Sequence, residues 1–294
     1  SYIITINTIP SLRDLAIDVA KRIPNQLDEQ VRLGRKTLYD TWVHAYPGKD
    51  GEPDMQIPGG GSDHAGFITL AGVPVLDFNM VNATRHAYPL YHSLFETPFL
   101  NEHLYDTPDF AMHRTIGRYW AELARTLADS AVLPINVTRA AEEMAENYVF
   151  ELRKEVFKLP VSTDIMESIK QVDLLEKAAE KFLVKAQSFA GHCDYVQRTN
   201  DQKKLRGLNE RIMMTERCFV NPRGAPDAPQ NRHVLYSLSD KNLYAGKVMA
   251  AVYDAIDDYV DAVDKKKAGR NLAEQISIIY HAVHCAINTL KHFF

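Results

Sequence analysis

Ile165, Ile169, Val172, Leu175, Ala179, Phe182, Ala186 and Phe189 recur at three- and four-residue steps. That spacing puts them on one face of a single long helix. A helix with one apolar stripe has to bury that stripe against other elements. Candidates lie on either side in sequence. Met144, Tyr148, Leu152 and Val156 make one stripe, Val248, Val252, Ile256, Tyr259 and Val263 a second, and Leu272, Ile276, Ile279, Val283 and Ile287 a third. Four such faces call for an all-α helical bundle. No further strong strand is expected beyond Pro134, and the proline-rich residues 221–230 should interrupt the bundle as an ordered loop.

The chain before Pro134 reads differently. Tyr2-Ile3-Ile4-Thr5-Ile6 is β-branched and apolar, as a strand requires. Residues 11–22 carry Leu12, Leu15, Ala16 and Val19 at helical spacing, and residues 36–46 predict another helix. Residues 47–58 mix Pro, Gly and Asp without periodicity and predict a loop. A short helix is expected over 63–70 and a buried strand over 73–78. A long helix then follows, with Thr107 as its cap and Pro108 at its first position. Strands alternating with helices imply an α/β layer arrangement. The expected division is 1–133 as an α/β unit and 134–294 as the helical bundle.

Composition narrows the function classes. The net charge is −4 and the one basic block is Lys265-Lys266-Lys267, expected to be a solvated helix end. A nucleic-acid partner is not expected on that balance. No apolar run approaches the ~20 residues of a membrane span, and no targeting segment is expected in this stretch. The three cysteines, Cys193, Cys218 and Cys285, have neither zinc-like spacing nor the even count of a disulfide scaffold, and their pairing stays open. Asn82-Ala83-Thr84 and Asn136-Val137-Thr138 are N-glycosylation sequons, compatible with an extracellular protein.

The densest chemistry sits in Tyr88-Pro89-Leu90-Tyr91-His92-Ser93-Leu94-Phe95-Glu96-Thr97. Proline fixes its own φ and pushes the preceding residue toward extended geometry. The stretch should be a rigid loop that can hold an imidazole at a fixed angle for a metal or a proton relay. A Tyr/His loop that simply packs is the plainer alternative. Gly59-Gly60-Gly61-Ser62-Asp63-His64 lets backbone approach a ligand closely, or makes a turn that leads into a helix. His281 and His284 lie three apart on the last helix beside Cys285, but the same helix carries an apolar stripe, so packing or surface roles are expected. The same holds for His113, His192 and His233.

Residues 88–97 resemble the loop that carries the last zinc-binding histidine in the glutamate carboxypeptidase II (prostate-specific membrane antigen) and transferrin receptor group. Further similarities follow in order: the glycine run, residues 127–134, Glu216-Arg217-Cys218-Phe219 with Arg232-His233-Val234, and Leu243-Tyr244-Ala245-Gly246 before Tyr253-Asp254-Ala255. The resemblance covers nearly the whole chain. It implies the C-terminal part of a zinc exopeptidase whose pair of zinc ions takes His92 from this stretch and its other ligands from upstream. Tyr91 would hydrogen-bond the developing oxyanion, while Gly60, Gly61, Ser62 and Tyr244 would bind a small peptide substrate.

The resemblance also implies a helical dimerisation domain that makes a homodimer. In the parent it implies an extracellular protein or a type II membrane ectodomain, anchored only through a segment absent from this chain. Two departures argue against glutamate specificity. Leu76-Asp77-Phe78-Asn79 holds no arginine, and Leu243 stands where the glutamate-specific enzyme has a lysine. Asp77 would repel an acidic group and suit an amine, as in an aminopeptidase or dipeptidase. The chain alone is expected to be inactive. The rival expectation is a non-catalytic dimeric interaction protein like transferrin receptor.

Overall fold

A computed structural model describes residues 2–82, 90–106, 109–199, 201–226, 228–239 and 242–291, with the side chains of 82 and 242–245 excepted. The fold is mostly helical, with small sheets, and its residues gather into two compact units. Thr107 and Pro108, the expected helix cap, lie outside the described residues.

The first unit comprises residues 1–7, 13–56 and 76–130. Strands β1 (Tyr2–Thr8) and β2 (Leu76–Asn82) form a two-stranded sheet, and the Thr5 hydroxyl donates to Asn79 Oδ1 across it. β2 begins three residues later than Val73 because Pro74 has no N–H to give a ladder. Helix α1 (Arg13–Arg22) buries Leu15, Ala16, Ile17, Val19 and Ala20. After the short α2 (Asp28–Arg32), α3 (Leu38–Ala45) packs on α1 and is started by a capping box. There Asp40 N–H donates to Thr37 Oγ1 and Thr37 N–H to Asp40 Oδ2.

Trp42 on α3 is fully buried. The long helix of this unit runs Ala111–Asp129. Its Tyr119 is buried edge-on to Phe78 and donates to the Ala16 carbonyl at 3.1 Å, and burial pushes its pKa up.

The second unit comprises residues 8–12, 57–75 and 131–294. Its centre is the predicted long helix, observed over Met166–Thr199. Val172, Leu175, Ala179, Phe182, Ala186 and Phe189 are buried along it. The last helix, Lys265–Thr289, lies along it and buries Leu272, Ile276, Ile279, Val283 and Ile287. Gly269 lets the last helix approach the chain just ahead of the long helix, since a Cβ there would fall 2.3 Å from the Asp164 carbonyl oxygen. The Met144 stripe runs through Val137–Glu142, a π turn over Glu143–Tyr148, and Val149–Lys158, with Met144, Leu152 and Val156 buried.

Two readings of the bundle need correction. It is not all-α: β3 (Tyr236–Ser239) and β4 (Asn242–Val248) form an antiparallel hairpin pairing Tyr236 with Val248 and Leu238 with Gly246. Val248 therefore ends a strand, and Met249, at φ 53°, turns the chain into the helix Ala250–Asp261. Val263 lies beyond that helix and is fully exposed, so only Val252, Ile256 and Tyr259 of its stripe are core. The lysine run is a helix end as expected, opening the last helix with Lys266 and Lys267 exposed. Asp264 caps that helix through the Lys267 N–H, and Lys265 Nζ donates to the Tyr259 and Val260 carbonyls at 2.7 and 2.8 Å, closing the previous helix.

Cys218 and Cys285 form a disulfide with Cα atoms 5.5 Å apart. Cys193 is free, and burial pushes its thiol up to about 11. No described helix is long and apolar enough to cross a membrane.

Candidate functional site

Residues 90–97, the described part of the predicted 88–97 loop, are a chain of tight turns rather than helix, while Tyr88 and Pro89 lie outside the described residues. Ser93 N–H and Ser93 Oγ both donate to the Leu90 carbonyl, at 3.0 and 2.6 Å. Phe95 N–H donates back to Ser93 Oγ at 3.2 Å. His92 sits inside this frame at φ 59°, a left-handed conformation uncommon for a residue with a Cβ. Its N–H is held at 2.8 Å by Glu96 Oε2. Its ring stacks on Tyr91, with centroids 3.8 Å apart and planes at 20°.

The carboxylate and the serine thus fix the backbone, while both rings stay open to solvent; Tyr91 is 64% exposed. Backbone held in a sparse region by local bonds is a recurrent mark of sites where a side chain must be aimed. Asp77 lies in the same unit, half-buried on β2. Asn82 ends β2, and its side chain lies outside the described residues, as do those of Leu243 and Tyr244.

The glycine run lies in the second unit. Gly60 is half-exposed, and Gly61 and Ser62 are exposed. His64 Nε2 contacts the Gly59 carbonyl at 2.8 Å, and the Ser62 carbonyl accepts the Ala65 N–H at 3.1 Å. These bonds fold the run onto the start of the short helix Ala65–Ala71. β4 lies directly against this loop, because a Cβ on Gly246 would fall 2.2 Å from the Pro58 carbonyl oxygen. The Leu243-Tyr244 strand and the glycine run, far apart in sequence, are therefore neighbours. Asn136 caps Val137–Glu142, its Oδ1 accepting the Arg139 N–H at 3.0 Å.

Two carboxylate–histidine pairs went unassigned in the sequence. Asp106 Oδ2 and His113 Nδ1 are 2.6 Å apart, and the same carboxylate accepts the Met112 and His113 N–H groups at 2.9 Å each. Asp106 thus caps Ala111–Asp129, across Phe110 at φ 55°. Burial alone would raise the Asp106 pKa, but the two N–H groups and the His113 ring together hold it below the usual carboxylate value.

The second pair is fully interior. His233 is 0% exposed, and its Nδ1 accepts the Leu235 and Tyr236 N–H groups at 3.3 and 3.0 Å. The ring proton therefore sits on Nε2, which donates to Glu216 Oε1 at 3.1 Å. Both residues lie in motifs that the sequence singled out, but their contact spans 17 positions and no local spacing announces it.

Among the described residues, no three His, Cys, Asp or Glu side chains converge as a metal site would require. His281 and His284 pack against Tyr280 instead. The residues present do not by themselves fit a zinc centre, since His92 offers a single donor.

Residues 164–291 match the transferrin receptor-like dimerisation domain. The chain is 44% identical to a glutamate carboxypeptidase 2 homolog of Caenorhabditis briggsae and 42% to that of Caenorhabditis elegans, each over 97% of this chain. It is 26% identical, over 87% of its length, to the rat aminopeptidase NAALADL1, covering 34% of that protein. The chain spans about 38% of the length of the two Caenorhabditis relatives. It corresponds to the C-terminal region of the glutamate carboxypeptidase 2 homologues and carries a transferrin receptor-like dimerisation domain.

Proposed function

We propose that this chain is the C-terminal part of a co-catalytic zinc exopeptidase that hydrolyses small peptides as a homodimer. Residues 1–133 would end the catalytic domain and residues 134–294 would form the dimerisation domain. The observation that carries the reading is the Tyr91–His92 pair, stacked and fixed by Glu96 with His92 at φ 59°. When bound, the zinc pair would supply an activated water. His92 would be the ligand this stretch gives, with the other donors contributed by the rest of the whole protein. Tyr91, on the same turn, would donate to the oxyanion.

The glycine run and Tyr244 would line the substrate side. Their support is the contact of Gly246 with Pro58 beside that run. The lack of arginine in Leu76-Asp77-Phe78-Asn79 and Leu243 in the place of a lysine favour aminopeptidase- or dipeptidase-like cleavage over glutamate specificity. The disulfide and the two sequons favour an extracellular protein or a membrane-anchored ectodomain.

Elemental analysis of the whole protein tests this. About two zinc ions per protomer, lowered in His92→Ala, are expected. Cleavage that strongly favours acidic dipeptides ending in glutamate would remove the specificity claim alone. A non-catalytic receptor-like protein is the second reading, favoured by a family match that falls on the helical part. Absence of zinc from the whole protein would establish it in place of the first.

A further inference from the structure

We infer that the Cys218–Cys285 disulfide is a thiol-exchange site for a small zwitterionic peptide thiol, and that it controls the rigidity of the platform carrying the glycine run and the β3–β4 hairpin. The disulfide is reachable. Both cysteines line a groove of about 670 Å³ between the 221–230 loop and the last helix. Cys285 is exposed there and Cys218 half-buried. The volume is that of a small-ligand site, and its charged lining is of both signs, with Arg223 and Glu274 suited to a carboxylate and an ammonium.

The disulfide also sits where a covalent tie has consequences. Cys218 ends the helix Gln202–Arg217, and everything just around it is keyed to the platform. Glu216 receives the buried His233 Nε2–H, Val234 N–H donates to Phe219 O at 2.8 Å, and Asn221 N–H donates to Arg232 O at 2.8 Å. Arg232 N–H then reaches Thr69 O at 3.0 Å, at the end of the helix that follows the glycines. A Cβ on Gly72, just past that helix, would lie 2.6 Å from Val220 Cγ2. His233 in turn fixes the Leu235 and Tyr236 N–H groups that start the hairpin. The disulfide holds this segment to the last helix.

A peptide thiolate attacks Cys285 Sγ, the more exposed sulfur, and the Sγ–Sγ bond breaks. Cys218 leaves as a thiolate and takes a proton from water. A second peptide thiol attacks the mixed disulfide, freeing Cys285 and releasing the peptide disulfide. The protein gains two electrons and two protons, which the two thiols lose.

The test treats the oxidised intact protein with reduced glutathione or, at equal concentration, with uncharged 2-mercaptoethanol, while circular dichroism reports folding. Mass spectrometry should find the mixed disulfide at Cys285 while the protein is still folded. Glutathione should react faster than 2-mercaptoethanol relative to their rates on a small-molecule disulfide, by about threefold, and Arg223→Glu should erase that preference. Hydrogen exchange of amides in 57–72 and 231–248 should rise about tenfold on reduction, with 149–158 unchanged. A disulfide that opens only on unfolding, or a reduced protein that exchanges like the oxidised one, overturns the proposal. Equal relative rates for the two thiols overturn the peptide-thiol assignment. Because mixed-disulfide formation, folding and hydrogen exchange are all read on the wild-type protein, with Arg223→Glu used only for the thiol preference, a Cys→Ser variant that fails to fold does not affect the outcome.

Discussion

Glu216–His233 and Asp106–His113 use the same chemistry under opposite solvent conditions. Each joins a carboxylate to an imidazole, and each carboxylate–histidine contact is accompanied by backbone N–H bonds. In the first, the histidine accepts those bonds and is wholly buried. In the second, the carboxylate accepts them and is 7% exposed, while the imidazole is 58% exposed. The difference teaches that the buried member sets the cost of losing the pair. In the first, a lost imidazole takes its hydrogen bonds from the Leu235 and Tyr236 amides and the Glu216 carboxylate in the interior; in the second, a lost imidazole is replaced by water.

The largest expected effect comes from the covalent tie that only the first of these pairs has beside it. Cys218 and Cys285 are 67 positions apart, and closing a loop of that size removes enough denatured-state entropy to contribute roughly 4 kcal/mol. Replacing both with serine should lower the denaturation midpoint accordingly, read by chemical unfolding. A change under about 1 kcal/mol would mean that the surrounding packing already holds the segment.

His233→Ala comes next, at about 3 kcal/mol. It removes the ring that satisfies Leu235, Tyr236 and Glu216 at once, and no water path comparable to that at His113 is open to it. The double variant His233→Ala/Glu216→Gln should recover part of the loss, because the neutral amide is cheaper to leave buried. A loss in His233→Ala no larger than in His113→Ala would break the comparison.

Asp106 should contribute to the loss of stability in acid. Its folded pKa lies below the ordinary 3.8. Its contribution is therefore fully present above that value and is lost as pH falls through the depressed folded one. Asp106→Ala should cost about 1.5 kcal/mol at neutral pH, the size of a lost helix cap. It should also flatten the fall in stability on acidification. An acid limb unchanged in the variant would show that Asp106 does not supply it.

How much of this was legible in the sequence follows from the range of the interactions. The bundle stripes were readable because Val172 to Phe189 and Leu272 to Ile287 repeat a local period, and those residues are buried. The hairpin was not, because Tyr236–Ser239 is four residues long and its partner strand contains Lys247 and Gly246, which dilute any alternation. The Asp106 cap of Ala111–Asp129 was not legible, because it acts across a left-handed Phe110 that no propensity marks. Thr107 and Pro108, the expected cap, lie outside the described residues.

At the site, the turn around His92 was visible because Ser93 and Glu96 act within a few residues. The approach of Gly246 to Pro58 was not visible, since it depends on a fold that brings distant segments together.

The smallest predicted effect sharpens the comparison most. His113→Ala removes one contact from Asp106 but leaves the Met112 and His113 N–H groups bound to it. The exposed ring exchanges that contact for water, so the loss in stability should be under about 1 kcal/mol at neutral pH. The consequence for pH is more specific. His113 is one of the groups that lower the Asp106 pKa, and the amides would keep doing so after it is gone. The acid limb should therefore move toward higher pH in His113→Ala without disappearing, whereas in Asp106→Ala this contribution disappears. Urea titrations across the acid range separate the two outcomes. Coincident acid limbs in the two variants would mean that the amide bonds to Asp106 do not hold without the imidazole, and that the exposed pair is as cooperative as the buried one.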